Sequence, residues 1–228
     1  MPDLSILIPQ TVIATTPPQD KAVEIHHRLC AEYGCAITYF HTLDPLGKLI
    51  SGRRFVLQAR LPEWKDVRDG PVAAVQEAIS ACNWPEQKAP RIQGVLRELS
   101  ERAGGDLSLE FLREWPVEKT RAWLESIPGV GPKTSAAVLS FSTLRGKTLP
   151  VDSHHHRVAA RVGLISPKMG VGPAHEILES QLPADWDAQH IYDNHQMIMR
   201  HGEKICPYGQ GRIAGTETAV QKEEFAET

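Results

Sequence analysis

Apolar residues recur every three to four positions along most of the chain and nowhere alternate for long with period two, a pattern that predicts helices joined by tight turns. Residues 1–20 hold Pro2, Pro9, Pro17 and Pro18 and read as extended or mobile. The first helical stripe spans Lys21 to Tyr33, with Val23, His26 and Cys30 on one line and Ile25 and Leu29 on the next. Ala36 to His41 is short and apolar and fits a strand or the lip of a helix equally. Asp44-Pro45 reads as a helix start, because proline's missing N–H costs nothing at the first helical position. That helix runs through Leu49 and Ile50 and stops at Ser51-Gly52-Arg53-Arg54, and a helical pattern resumes from Phe55 to Leu61. Asp69-Gly70-Pro71 opens a helix with Val72, Val75, Ile79 and Cys82 on one face. Pro90 opens the next, with Ile92, Val95, Leu96 and Leu99 on its stripe and Gly104-Gly105 at its end.

Pro116 divides two short helices, Leu107 to Trp115 and Val117 to Ser126. Pro132 to Leu144 is nearly all small or apolar, which predicts a buried helix through the middle of the fold. Helices follow at Ser153 to Val162, Pro173 to Leu182 and Asp187 to His201, with Gly202 as a C-cap. Beyond Cys206 the chain turns Gly-rich, then acidic, without an apolar stripe, and reads as disordered. The class is all-α. Its expected organisation is a segment at 1–43 joining an outer helical lobe, a helical module at 44–150, the rest of the outer lobe at 151–205, and a tail at 206–228.

Composition adds limits. The chain has 228 residues, 41% of them hydrophobic, enough to bury a sizeable core. No apolar run is long enough to cross a bilayer, and the start, Met1 to Ser5, lacks the basic residues and apolar run of a signal peptide. A cytoplasmic protein with no membrane association is therefore expected. The formal net charge of −3 gives no bulk support for nucleic-acid binding, but distribution matters more than the sum. Between Arg121 and Arg161 six positive residues face two negative ones, a balance of +4, whereas Thr216 to Thr228 carries −3. Cys30, Cys35, Cys82 and Cys206 are scattered without a CxxC pair, so buried reduced thiols are expected, with neither a disulfide framework nor a zinc ribbon.

The candidate chemistry lies at 127–158. Ile127-Pro128-Gly129-Val130-Gly131-Pro132-Lys133-Thr134 puts two glycines around one apolar residue at a helix junction. Glycine adopts positive φ without penalty, so such a junction makes a tight hairpin. The free amides of the second helix's first turn can then bind a phosphate oxygen, a contact that positions DNA without reading its sequence. An ordinary hairpin packed on its glycines has the same pattern. Lys133 sits just inside a helix start, where the dipole disfavours a cation. With neighbouring cations and partial burial, that would lower its pKa toward a nucleophilic amine. A solvated lysine touching phosphate is the other reading. Asp152 precedes a helix and suits an N-cap, which would also fix a carboxylate in one place for catalysis. His154, His155 and His156 are consecutive, point in different directions, and do not suggest a shared metal ion.

This stretch, with Leu149-Pro150-Val151-Asp152-Ser153-His154 and Arg157-Val158 closing it, resembles the helix-hairpin-helix, Gly/Pro-rich, Asp superfamily of DNA glycosylases, in its endonuclease III branch. The likeness runs from about Asp44 to Gly202, with weaker outer matches at Trp84-Pro85, Lys88-Ala89, Ile92 and His201-Gly202. The resemblance implies two helical lobes with a DNA-binding cleft into which a damaged nucleotide is flipped. It implies that Lys133 attacks C1′, expels the base, forms a Schiff base and cuts the strand by β-elimination. Asp152 would help activate the nucleophile and stabilise positive charge on the sugar. Gly129, Val130, Gly131 and Thr134 would grip phosphate, with His154 and Arg157 in support. The partner would be duplex DNA with a damaged or abasic nucleotide, bound by a monomer associated with the nucleoid.

The chain departs from the family pattern twice. Many members of this branch hold a 4Fe-4S cluster on Cys-x6-Cys-x2-Cys-x5-Cys. Here Cys206 is followed at those positions by Ile213, Thr216 and Lys222, so no cluster is expected. Between Ile50 and Pro62 the chain is one helix shorter than usual, with Arg53 or Arg54 as a substitute wedge or simply a basic surface turn. Three functions follow: a repair glycosylase with abasic-site lyase activity, a DNA-binding member that no longer cuts, or a helical protein-interaction domain. Retention of both Lys133 and Asp152 favours the first.

Overall fold

The computed structural model describes residues 18–35, 44–50, 57 and 59–206. The expectations for residues 1–17, for Ala36 to His41, for the turn carrying Arg53 and Arg54, and for the chain after Cys206 lie outside the described residues. Those residues form about ten helices and no strand, and no helix among them is long and apolar enough to cross a membrane. In chain order they are α1 (Pro18–Tyr33), α2 (Pro45–Ile50), α3 (Trp64–Asp69), α4 (Val72–Ala78), α5 (Pro85–Arg102), a 3-10 turn at Glu110–Glu114, α6 (Val117–Glu125), α7 (Pro132–Phe141), α8 (Ser153–Arg161), α9 (Val171–Ser180) and α10 (Ala188–Lys204).

Two compact units result. One comprises the described residues of Met1–Ile37 and Leu149–Thr228, which carry α1, α8, α9 and α10. Its core takes Ala22, Ile25 and Leu29 from α1, one face at helical spacing, together with Val158, Ile191, Met197 and Ile198. Each large side chain buried in this way contributes about 1.5–3 kcal/mol of transfer free energy. Asp187 caps α10, accepting from the amides of Gln189 at 2.9 Å and His190 at 3.0 Å. Tyr33 of α1 hydrogen-bonds His201 of α10 at 3.1 Å. Gly202 is not a C-cap: α10 continues to Lys204, and the glycine lies inside it where α8 approaches.

The other unit, Thr38–Thr148, carries α2 to α7. α5 is its axis and buries Ala89, Ile92, Val95, Leu96 and Leu99. It begins at Pro85, so Pro90 lies inside the helix instead of opening it. The true start is set by Trp84, whose φ of +57 turns the chain and leaves Pro85 at the first position. Gln93, fully buried, donates to the carbonyls of Val67 at 2.9 Å and Gly70 at 2.7 Å. That closes the end of α3, a helix the periodicity did not reveal. α7 buries Ala136, Val138, Leu139 and Phe141 and stops at Phe141, short of the expected Leu144. Ser142 ends it, because its hydroxyl donates to the Val138 carbonyl at 2.6 Å and accepts from the Leu144 amide at 3.2 Å.

The cysteines differ from expectation. Cys82 and Cys206 are free, but Cys30 and Cys35 form a disulfide. Gly34, with φ +77, ends α1 by donating to the Cys30 carbonyl at 2.8 Å and turns Cys35 back onto the helix.

Candidate active site

The hairpin lies between α6 and α7. Ile127 donates back to the Leu124 carbonyl at 3.1 Å, and Val130 donates to the Ile127 carbonyl at 3.0 Å, closing a turn over 127–130. Pro128 and Gly129 occupy its second and third positions, the arrangement of a type II turn, which needs positive φ at the third. Gly129 has φ +87. Val130 is buried and anchors the turn in the unit's core. Gly131 is the extended N-cap of α7 and Pro132 its first residue. The amides of Thr134 and Ser135 are both taken by the Gly131 carbonyl at 3.0 Å. Those of Gly129, Gly131 and Lys133 take no acceptor among the described residues, and all three residues are exposed. The α6–α7 pair is pinned by Ser135, whose hydroxyl donates to the Glu125 carboxylate at 2.6 Å, with the Pro132 carbonyl as a second, longer acceptor at 3.0 Å.

Lys133 is exposed in the first turn of α7. The partial burial expected for it belongs instead to Lys48 of α2, which sequence reasoning passed over. The Lys48 amine lies 5.2 Å from the centre of the Phe141 ring. Burial, and then the charge of Lys133, hold its pKa below the ordinary lysine value. Arg145 and Lys147, which follow α7, are also exposed.

Asp152 belongs to the other unit and caps α8. Its carboxylate accepts from the His155 amide at 2.7 Å, and its carbonyl accepts from the His156 amide at 2.8 Å. Two residues of α9 steady the extended segment leading to it. The Glu179 carboxylate accepts from the Leu149 amide at 2.8 Å, and His175 Nε2 accepts from the Val151 amide at 3.1 Å. His175 Nδ1 therefore carries the proton, which it donates to the Val171 carbonyl at 3.0 Å. Burial pushes the Asp152 carboxyl up, but the His195 ring, the His155 amide, and the His155 and His154 rings outweigh it. The group is held below the ordinary aspartate value, as a carboxylate. His155 is fully enclosed, with its Nδ1 3.3 Å from His195 Nδ1. Burial, followed by His195, lowers its pKa to about 3, so the ring is neutral near pH 7.

His154 and Arg157 are joined to each other: an Arg157 guanidinium nitrogen donates to His154 Nδ1 at 2.9 Å. The same guanidinium donates to the carbonyls of Gly202 at 2.9 Å and Cys206 at 2.7 Å, and Arg157 is only 9% exposed. Arg157 thus ties α8 to the end of α10 and does not present its charge outward. The long-range partners that hold it inside are invisible in a local motif. Cys206 is buried, and its sulfur accepts from Arg161 at 2.7 Å. One thiol already engaged by an arginine, with Ile213, Thr216 and Lys222 at the other three positions, does not fit a 4Fe-4S cluster.

An all-α protein with a glycine-turned helical hairpin and a helix-capping aspartate after it is the class these features define. No family model matches the chain. The DNA glycosylase/AP lyase ROS1 of Arabidopsis thaliana is 29% identical over 157 residues, which cover 63% of this chain and 11% of that protein. Endonuclease III of Sulfolobus acidocaldarius is 24% identical over 140 residues, 61% of this chain and 57% of that one. The chain thus spans about half the length of the second relative and a small part of the first. An endonuclease III in non-covalent complex with DNA superposes with a TM-score of 0.65 at 18% identity, covering 92% of this chain and all of that chain. In sequence the chain is thus similar to DNA glycosylases of the ROS1 and endonuclease III kind, and its all-α fold is similar to that of endonuclease III.

Proposed function

We propose that the protein is a DNA glycosylase with abasic-site lyase activity, acting on damaged duplex DNA in base-excision repair. The observation that carries this reading is Lys133: an exposed amine two residues after the unengaged Gly131 amide, on a hairpin whose free N–H groups suit a phosphate. The Lys133 nitrogen attacks C1′ of the damaged nucleotide, and the base leaves with the electron pair of the glycosidic bond. Opening of the sugar ring gives the Schiff base. Loss of a proton from C2′ then expels the 3′ phosphate and cuts the strand. Asp152, held ionised and fixed by its cap, stabilises the positive charge that develops on the sugar.

The lone cluster-position cysteine and the inward-turned Arg157 favour a second reading, a member that holds DNA without turning it over. Duplexes carrying one abasic site, or one oxidised, deaminated or methylated base, separate the two. The proposal expects strand cutting at the abasic site without alkali and release of at least one damaged base, both lost in Lys133→Ala. Binding to every duplex with neither event would establish the second reading.

A further inference from the structure

Among the described residues, one group of cysteine, histidine or carboxylate side chains gathers its ligand atoms closely enough to share an ion. It comprises His26, Cys30 and Cys35, whose donor atoms all lie within 4.8 Å of one another. The sequence carries the signal as His-x3-Cys-x4-Cys. His26 and Cys30 are four residues apart on α1 and so share a face. Their ring Nε2 and sulfur are 3.4 Å apart. Cys35 reaches the same ring nitrogen at 4.0 Å because Gly34 reverses the chain beyond the helix.

We propose that, with the disulfide reduced, His26, Cys30 and Cys35 bind a thiophilic divalent cation of the zinc class. Two thiolates and one imidazole are a donor set zinc favours, and cobalt(II) and cadmium(II) share the preference. Two thiolate charges neutralise the cation, which lets the complex sit beside the apolar core of its unit. His26 is held in place by packing. The ring is 7% exposed and packs on Trp186 with ring centres 4.7 Å apart. Cys35 is exposed and Cys30 half-buried, so an ion reaches the site from solvent and a fourth position stays open to water. Zinc–sulfur bonds of about 2.3 Å in a tetrahedron place the sulfurs about 3.8 Å apart. The pair must therefore separate, and the exposed Cys35, beyond the Gly34 turn, is free to make that movement. The disulfide and the metal complex are then alternative states of one site. A phosphine reductant takes oxygen from water and leaves two thiols, and the cation displaces their two protons.

The test uses the full chain, reduced with a phosphine under nitrogen and titrated with cobalt(II). The proposal expects one equivalent to produce a near-ultraviolet thiolate-to-cobalt band together with intense tetrahedral visible bands, both bleached by zinc. Cys30→Ser/Cys35→Ser loses them, and His26→Gln weakens binding at least about tenfold. Cys82→Ser and Cys206→Ser leave them unchanged. Far-ultraviolet circular dichroism establishes that each variant is folded. No band in protein whose thiols titrate as four free groups would overturn the proposal, as would a band that survives in the folded double cysteine variant.

Discussion

Gly202 of α10 touches His154 of α8: a Cβ on Gly202 would lie 2.9 Å from His154 Cβ and 3.2 Å from the His154 carbonyl oxygen. Gly202→Ala gains up to about 1 kcal/mol of helix propensity. The overlap outweighs that gain, because backbone and Cβ atoms cannot rotate away and two helices must move apart, at about 1–3 kcal/mol. A lower urea midpoint for Gly202→Ala is expected. An unchanged or higher midpoint would show that the helices separate freely.

Arg157 makes the same junction from the other side. Arg157→Met strands the carbonyls of Gly202 and Cys206 and should cost about 2–4 kcal/mol in urea unfolding. Because the guanidinium faces inward, the slope of DNA affinity against salt should not change. A slope shallower by about one unit would mean that Arg157 reaches phosphate.

The two hairpin glycines should separate. Gly129, at φ +87, is strained by any side chain, so Gly129→Ala should lose about 1–2 kcal/mol. Gly131 has φ −102 and open space where its Cβ would go, so Gly131→Ala should fold with nearly wild-type stability. Equal losses at both positions in thermal unfolding would contradict the turn described for 127–130.

Stability should fall below neutral pH. His155 and His26 titrate near 3 and 4 when folded, against about 6.5 when unfolded, so unfolding takes up a proton at each. Their contribution is complete above about pH 6.5 and declines as pH drops toward their folded values, by about 1.4 kcal/mol per pH unit for each ring. Urea midpoints measured between pH 7.5 and 5 should show this slope, reduced in His155→Asn. A flat profile would place both rings in contact with water.

The parts of this molecule that were legible in the sequence are those built from near neighbours. The Gly129–Gly131 turn, the Asp152 cap and the α1 stripe each depend on residues within one or two turns. Pro90 marks no boundary, although proline favours a helix's first position: that position is taken by Pro85, placed there by the backbone of Trp84. The partners of Arg157 lie 45 and 49 residues away, and those of Asp152's supporting segment 24 and 30 residues away, beyond any local pattern. The His26, Cys30 and Cys35 group was passed over because the spacing acquires meaning only once Gly34 is known to reverse the chain.

Trapping the Schiff base identifies whether Lys133 is the nucleophile. Protein incubated with duplex DNA bearing one abasic site is reduced with borohydride, and the cross-linked peptide is mapped by mass spectrometry. A one-to-one adduct on Lys133, absent in Lys133→Ala, is expected. No adduct, or an adduct carried by Lys48, would contradict it.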